Sequence, residues 1–353
     1  MLLRSTRETR KRAGRFAEAR WCVDNADATI KKGVLLKSIR LHEFGGPEVL
    51  KLEDVDDPKP GTGQALVRVY AAGVNPTDVT SRRGASPVAP TLPMSLGRDA
   101  SGVVEAIGSG VKTVKSGDKV IVRGGSANYS ELVAIAEDDL YPVPDGVGPI
   151  DAASIGVTYS TAWDAVVNKA QAGTGQWVLV QGASGGVGVA AVQIAKAFGA
   201  RVIGTASTEE KRKWVEGQGA DHTVDYTQDD WPEQVKALTG GKGVDAVIDG
   251  VGGDAFLKAF DCVAPGANIC VFGASGGREV HINLALLFRT RVHIHGCGGT
   301  GCTREDFEKM LSLFSSGKLK ATVETTLPLA EAAQAHQMIQ DRKVIGKIVL
   351  KVG

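Results

Sequence analysis

The most informative stretch of this chain is Trp177-Val178-Leu179-Val180-Gln181-Gly182-Ala183-Ser184-Gly185-Gly186-Val187-Gly188. An apolar segment leads into a glycine-rich turn, and a helical stretch over 189–198 and a second apolar run over 201–205 follow it. Glycines let the backbone approach phosphates, and the free N–H groups at a helix start favour their negative charge. The order of strand, glycine turn, helix and strand therefore predicts a dinucleotide-binding unit. The residues expected at the phosphates are Gly182, Ser184, Gly185, Gly186, Val187 and Gly188.

Length, charge and cysteine content restrict the class of protein. The chain has 353 residues, which favours two domains over one. Its 41 basic and 40 acidic residues give a net charge of +1, which does not indicate a nucleic-acid partner. No apolar run reaches the ~18 residues that a membrane-spanning helix needs. The 5 cysteines are odd in number and scattered, which favours a reducing, cytoplasmic location over a disulfide-bonded one.

The segment 1–33 differs from the rest, because it is rich in arginine and lysine and has no apolar periodicity. A mitochondrial transit peptide is one interpretation, since such peptides are basic and amphipathic. Glu8 and Glu18 favour the alternative, a disordered tail or a start codon assigned too far upstream. We therefore begin the fold near Val34.

Two patterns follow along the chain. Residues 35–151 read as short strands separated by turns, which predicts a barrel-like β domain. From 155 to 296, strands alternate with helices, which predicts a parallel sheet with right-handed crossovers. The strands predicted in that region are 177–181, 201–205, 244–249, 268–273 and 291–295. The tail predicts a helix, a strand near 321–323, a helix over 330–340 and a last strand over 346–351.

The fold class is therefore α/β, a Rossmann-type doubly wound parallel sheet beside a β-barrel-type domain. We expect the sheet domain at 156–296 and the barrel domain at 34–155 and 297–353. A chain that leaves a β domain and later returns to it forms a cleft between the two, where small-molecule sites are favoured.

Several motifs occur in a specific order along the chain. They are Ala72-Gly73-Val74-Asn75-Pro76-Thr77-Asp78, Leu96-Gly97-Arg98-Asp99-Ala100-Ser101-Gly102, Gly108-Ser109-Gly110-Val111, Gly117-Asp118-Lys119-Val120, the glycine turn, and Gly346-Lys347-Ile348-Val349. From Val34 to its end, the chain resembles the zinc-free quinone oxidoreductase branch of the medium-chain dehydrogenase/reductase superfamily, which includes ζ-crystallin. The resemblance implies a GroES-like catalytic domain, hydride transfer from a nicotinamide cofactor, and a homodimer formed through an edge strand around 291–295.

The positions of the zinc ligands can be compared directly. Zinc-dependent alcohol dehydrogenases of this superfamily need a cysteine near Asn75 and a His-Glu pair where this chain has Arg98 and Asp99. A structural zinc would need four closely spaced cysteines. The sequence contains no cysteine between Val34 and Cys262. We therefore expect no metal. The alternative is a site on alternate residues of one strand, namely His293, His295 and Cys297.

The cofactor is predicted from the end of the second strand. NAD-binding folds place an acidic residue about 20 residues beyond the glycines to bond the ribose 2′-OH. Here the strand ends in Thr205-Ala206-Ser207, with no acid. By the resemblance, Ser207, Lys211 and Tyr226 would surround a 2′-phosphate, so NADPH is preferred over NADH. If these side chains do not bind a phosphate, the alternative for Lys211 is a solvated helix lysine and for Tyr226 an aromatic residue of a loop.

The resemblance assigns further positions to the cleft. Thr158 would approach the nicotinamide, and Asn75 would lie near the nicotinamide ribose or the substrate carbonyl. Lys347 would reach the cofactor from the last strand. Phe272, Gly273 and Ser275 would lie at the carboxyl edge of the sheet, where open α/β sheets bind ligands. The alternative for Thr158 is a residue of the interdomain hinge, for Asn75 a turn residue, and for Lys347 a surface lysine. For 272–275 it is a plain strand end. For Tyr129, core packing is favoured over a role in the pocket.

Three functions fit these observations. The first is an NADPH-dependent reductase of small quinones or related enones, which needs neither a metal nor a strong acid. The second is a reductase of enoyl thioesters or alkenals. Some such relatives carry a proton-donating tyrosine shortly after the Asn-Pro motif, where several quinone reductases also carry an aromatic residue. This chain has no tyrosine at 83–87. The third is a non-catalytic NADPH-binding protein of the crystallin type.

Overall fold

The computed structural model describes Trp21, residues 35–86 and residues 91–352. The first part of the chain is mainly strands, as predicted, and one short helix carries the polar motif that follows β3. Its elements are β1 (Leu36–Leu41), β2 (Lys51–Val55), β3 (Gln64–Val74), α1 (Pro76–Arg82), β4 (Met94–Ser95), β5 (Asp99–Ile107), β6 (Lys119–Arg123), β7 (Leu132–Ala136) and β8 (Leu140–Pro142).

The central part alternates helices and strands. The elements are α2 (Pro149–Ala152), α3 (Gly156–Trp163), β9 (Trp177–Gln181), α4 (Gly186–Ala197), β10 (Arg201–Thr205), α5 (Glu209–Gly217), β11 (His222–Val224), α6 (Trp231–Leu238), β12 (Val244–Asp249), α7 (Gly253–Ala259), β13 (Val263–Val271), α8 (Leu284–Thr290) and β14 (His293–Gly296). The strands pair in parallel in the order β11-β10-β9-β12-β13-β14. This is the predicted doubly wound sheet, and β9 with its glycine turn lies near its centre.

The last part returns to the β domain through α9 (Arg304–Ser315), β15 (Val323–Pro328), α10 (Ala332–Gln340) and β16 (Lys347–Lys351). β16 pairs with β3, so the second sheet has the order β15-β16-β3-β5-β6-β8, and β7 also pairs with β3. The chain thus closes the barrel-like domain with its own C-terminal strand. The observed strand after α9 begins at Val323, two residues beyond the start of the predicted segment.

Each sheet has a core of its own, and a further cluster of buried side chains, which includes Ile121 and Val178, contains residues of both sheets. Buried aliphatic side chains such as Leu179 and Ile203 fill the parallel sheet, and others such as Val67 and Ile348 fill the barrel. These observations are consistent with the predicted two-domain division, and its boundaries stay a prediction. Among the described residues, no helix is both long enough and apolar enough to cross a membrane.

The N-terminal segment is described at Trp21 alone. The Trp21 and Tyr70 rings meet edge to face with centroids 5.5 Å apart, and the indole N–H donates to the carbonyl oxygen of Val147 at 3.4 Å. This side chain therefore packs on the β domain. The predictions of a tail or a transit peptide concern residues that otherwise lie outside the described ranges.

Candidate functional site

A cleft of about 710 Å³ lies where the glycine turn of the parallel sheet faces the first residues of α1 and β16. It collects almost every predicted site residue from distant parts of the sequence. Those lining it are Asn75, Thr158, Gly182, Ser184, Gly185, Gly186, Val187, Gly188, Ser207, Lys211, Tyr226, Phe272, Ser275 and Lys347. Gly273 is not among them, and a Cβ atom built on it would lie 2.9 Å from the carbonyl oxygen of Gly250. Gly273 thus packs against a neighbouring loop. It does not line the cleft, contrary to the prediction.

The glycine turn has two different steric requirements. Gly182 adopts φ of +65°, and a Cβ on Gly188 would lie 2.3 Å from its carbonyl oxygen, so residue 188 must be glycine for α4 to pack on the turn. A Cβ built on Gly185, the residue before α4, would meet one atom, the carbonyl oxygen of Gly182, at 3.5 Å. The open space in front of the first N–H groups of α4 suits a phosphate group.

The far end of the cleft is basic and has no acid at the end of β10. Lys211 lies in the first turn of α5, and its Nζ donates to the carbonyl oxygen of Arg342 at 3.1 Å. Arg342 also lines the cleft, and its guanidinium donates to the carbonyl oxygen of Ser275 at 2.6 Å. Sequence reasoning missed Arg342. The sequence signal for Arg342 is its position just before the Gly346 motif. That position does not show that Arg342 contacts Ser275.

A buried polar cluster forms the opposite end. Lys347 Nζ donates to Asp99 Oδ2 at 3.1 Å, to Thr158 Oγ1 at 2.9 Å, and to Asn75 Oδ1. Asn75 Nδ2 donates to Asp99 Oδ2 at 2.9 Å, and the N–H of Val157 donates to Asp99 Oδ1 at 2.6 Å. We call Asn75, Asp99, Thr158 and Lys347 the lysine cluster. It brings together β5, α3, β16 and the residue that precedes α1.

Two glycines make room for the lysine cluster. A Cβ on Gly156 would lie 2.4 Å from Asp99 Oδ1, and one on Gly73 would lie 3.0 Å from the Asp99 Cβ and 3.2 Å from Lys347 Cε. Asp99 is completely buried, and the Lys347 side chain is only 5% exposed. The sequence placed Asp99 at a zinc-ligand position of related enzymes but did not identify its partner. The available signal was an acidic residue within the motif Leu96-Gly97-Arg98-Asp99.

A second buried cluster lies away from the cleft. The Tyr129 hydroxyl donates to Asp78 Oδ2 at 3.1 Å and lies 3.4 Å from His336 Nε2. Burial raises the pKa of Asp78 to about 6 and lowers the pKa of His336 to about 3. None of the three side chains lines the cleft. Tyr129 thus belongs to the core, as the favoured interpretation predicted.

The alternative metal site on β14 has no support in the geometry. His295 Nε2 lies 2.9 Å from Asn268 Oδ1, and the Cys297 thiol donates to the carbonyl oxygen of His295 at 3.8 Å. Within the described ranges, no group of three or more His, Cys, Asp or Glu side chains is placed to hold a metal ion.

Comparisons with known proteins follow this geometry. Residues 61–148 match the alcohol dehydrogenase GroES-like domain family, and residues 186–316 match the zinc-binding dehydrogenase family. The chain is 36% identical to the quinone oxidoreductase of Rattus norvegicus over 90% of this chain and 98% of that protein. It is 35% identical to the quinone oxidoreductase of Pseudomonas aeruginosa, over 90% of this chain and 99% of that one.

Two solved structures are similar throughout. A quinone oxidoreductase of Escherichia coli complexed with NADPH has a TM-score of 0.83 and 32% identity, covering 89% of this chain and 99% of that one. A structure described as an NAD-dependent alcohol dehydrogenase has a TM-score of 0.86 and 38% identity, covering 90% of this chain and 100% of that one. The two descriptions name different coenzymes, so the choice for this chain depends on its own residues.

Proposed function

Because this chain belongs to the quinone oxidoreductase branch of the medium-chain dehydrogenase/reductase superfamily, we propose that it reduces quinones or related conjugated carbonyl compounds with NADPH and without zinc. The observation that carries the proposal is the cleft, which joins an open glycine turn, a basic pocket and the lysine cluster. When bound, the coenzyme supplies the hydride. The chain itself binds, orients and partly encloses the reactants.

The glycine turn would hold the pyrophosphate against the first N–H groups of α4, which fixes the coenzyme along the cleft. Ser207, Lys211 and Tyr226 line the pocket where the 2′-phosphate would bind, and Arg342 adds a second cation there. Thr158 and Asn75 line the other end, where the acceptor would bind. Positioning of the two reactants at close distance is the main contribution that such a site makes to the rate.

The lysine cluster also supports independence from zinc. Asn75 and Asp99 stand where zinc-dependent relatives need ligands, and both accept hydrogen bonds from the Lys347 ammonium. A divalent cation bound by the same oxygen atoms would meet that positive charge at a few ångströms, in a buried site where repulsion is strong. The ammonium therefore takes the place that a metal would need.

Coenzyme choice is the first arm of the test. We expect NADPH to bind more tightly than NADH, and Lys211→Ala to weaken NADPH binding at least about tenfold, because hydrogen bonds to a charged group are lost. Lys213→Ala is the matched control, since Lys213 lies on the same helix but pairs with Glu209. Titration of coenzyme fluorescence measures both affinities. Equal affinities of the native chain for the two coenzymes would contradict the phosphate pocket.

Acceptor choice is the second arm of the same test. Among the described residues lining the cleft, the tyrosine present is Tyr226, in the phosphate pocket and away from the lysine cluster. Quinones need no acid at the hydride step, whereas enoyl thioesters do. We therefore expect NADPH oxidation with ortho- and para-quinones and little with crotonyl thioester or alkenals. Tight NADPH binding without oxidation by any acceptor would favour the non-catalytic alternative.

We also propose that two copies associate through β14. Among the described strands, β14 lies at the edge of the parallel sheet. Leu284 and Phe288 of the preceding α8 and Ile294 of β14 itself are 71%, 75% and 42% exposed. Such a group of exposed apolar side chains is typical of an interface. Sedimentation analysis is expected to give a dimer mass for the native chain and a monomer mass for Phe288→Lys. A native monomer would exclude this assembly.

The remaining proposal concerns location. The cysteines of the described ranges, Cys262, Cys270, Cys297 and Cys302, are free thiols. Free thiols suit a reducing compartment, so a cytoplasmic location is preferred. A mitochondrial location is the alternative if the first 32 residues act as a targeting segment.

A further inference from the structure

The Lys347 ammonium has no donor left for a ligand. An ammonium carries three N–H donors and no acceptor, and here its partners are the oxygens of Asn75, Asp99 and Thr158. Lys347 borders the cleft, yet each of its donors is directed into the protein. It is therefore unable to bind the coenzyme directly without giving up one of these hydrogen bonds, in contrast to the direct contact predicted from the sequence.

These bonds fix the orientation of Asn75. Its Oδ1 faces an ammonium, which can only donate, and its Nδ2 faces the Asp99 carboxylate, which can only accept. The reversed amide would place a donor against a donor and an acceptor against an acceptor. One N–H of Nδ2 is used by Asp99, so the other remains for a ligand.

The same argument applies to Thr158. Its Oγ1 accepts from Lys347 Nζ at 2.9 Å, so the hydroxyl hydrogen must donate elsewhere. In the described ranges, no protein acceptor for that hydrogen is seen, and Thr158 lines the cleft. The ammonium thus turns a hydroxyl of free orientation into a donor directed away from the lysine.

We infer that Lys347, held by Asp99, is a positioning residue that presents the Thr158 O–H and the Asn75 N–H to a carbonyl oxygen of the substrate. The inference rests on the proposed function. A quinone that takes up a hydride gains two electrons and one proton, and one carbonyl oxygen becomes negatively charged until water supplies the second proton. Fixed donors aimed at that oxygen stabilise the charge as it develops. Threonine donates a hydrogen bond and keeps its proton.

Thr158 provides the first test. As a single substitution, Thr158→Val keeps the shape of the side chain but removes the hydrogen-bond donor. It is expected to lower kcat with quinones about tenfold or more. Thr158→Ser keeps the hydroxyl and is expected to restore most of the rate. The affinity for NADPH should change little in both variants. A Thr158→Val enzyme with native kcat, or a Thr158→Ser enzyme as slow as Thr158→Val, would overturn the inference.

The role of the ammonium is tested in a second background. Asp99→Asn combined with Lys347→Met replaces the ion pair with neutral side chains of similar size, and Thr158→Val is then added. Because the hydroxyl is no longer fixed as a donor, the added change is expected to lower kcat by at most about twofold. The same fold-loss in both backgrounds would show that Lys347 does not position Thr158.

Failure of the inference and failure of the proposed function give different results. If the native chain does not bind NADPH or does not reduce any quinone, the proposed function fails. If the native chain does both, and the Thr158 variants behave alike, only the positioning role fails. If the neutralised background does not fold, the comparison of Thr158→Val with Thr158→Ser in the native chain still decides whether a donor acts there.

Discussion

Replacing Asp99 with alanine is expected to lower the free energy of unfolding by about 3–5 kcal/mol, because it leaves the Lys347 ammonium buried without its counter-ion. Asp99 is 0% exposed, and the side chain of Lys347 is 5% exposed. The change also removes the acceptor of the Val157 N–H and of the Asn75 amide. Equilibrium unfolding in urea measures the loss.

Two controls identify the cause. Glu209→Ala removes a carboxylate from Lys213, an exposed pair on α5, and little change in unfolding is expected there. Combining Asp99→Ala with Lys347→Met removes the buried charge as well, so the double variant should recover part of the loss. Additive losses from Asp99→Ala and Lys347→Met would show that the two side chains stabilise the fold independently.

The parallel sheet could be predicted well because its signals are local. Trp177–Gln181 and Arg201–Thr205 are short apolar runs next to glycines, and the observed β9 and β10 have these bounds. Strand ends without such punctuation were predicted less well. β13 begins at Val263 rather than at 268, and its pairing with β12 shifts register between Val263 and Asn268, which an apolar pattern does not reveal.

The candidate site was predicted in its parts but not in its connections. The glycine turn is local in the sequence and could be identified from spacing. By contrast, Lys347 bonds Asn75 across 272 positions, and Arg342 bonds Ser275 across 67. A sequence pattern shows that a lysine follows Gly346 but not which carboxylate it meets, because that depends on the return of β16 to β3. Contacts between residues that are distant in the sequence therefore supplied the information that was missing.

The glycine turn gives the second large effect, and its two glycines should fail in different ways. Gly188→Ala is expected to lower the free energy of unfolding by about 1–3 kcal/mol or more. The added Cβ would lie 2.3 Å from the carbonyl oxygen of Gly182 and 2.8 Å from the Cα of Ala183. Both are backbone atoms, so no side-chain rotation relieves the contact, and α4 must move away from the turn.

Gly185→Ala is expected to leave the empty protein as stable as the native chain, within about 0.5 kcal/mol. Its backbone is extended, with φ of −85°, and the added Cβ would make one ordinary contact at 3.5 Å. The cost should instead appear when a ligand binds, since this glycine lets the backbone approach the pyrophosphate. NADPH affinity is expected to fall at least about tenfold, as hydrogen bonds to a charged group lengthen or break.

Thermal unfolding without coenzyme and fluorescence titration with NADPH separate the two outcomes. Gly217→Ala is a useful control, because a Cβ at that position at the end of α5 meets no atom within 4 Å. NADPH should raise the unfolding temperature of the native chain and of this control, since a ligand that binds only the folded state stabilises it. It should raise that of Gly185→Ala much less. Native affinity in Gly185→Ala would mean that phosphates do not bind at this turn, and the proposed coenzyme site would have to be abandoned.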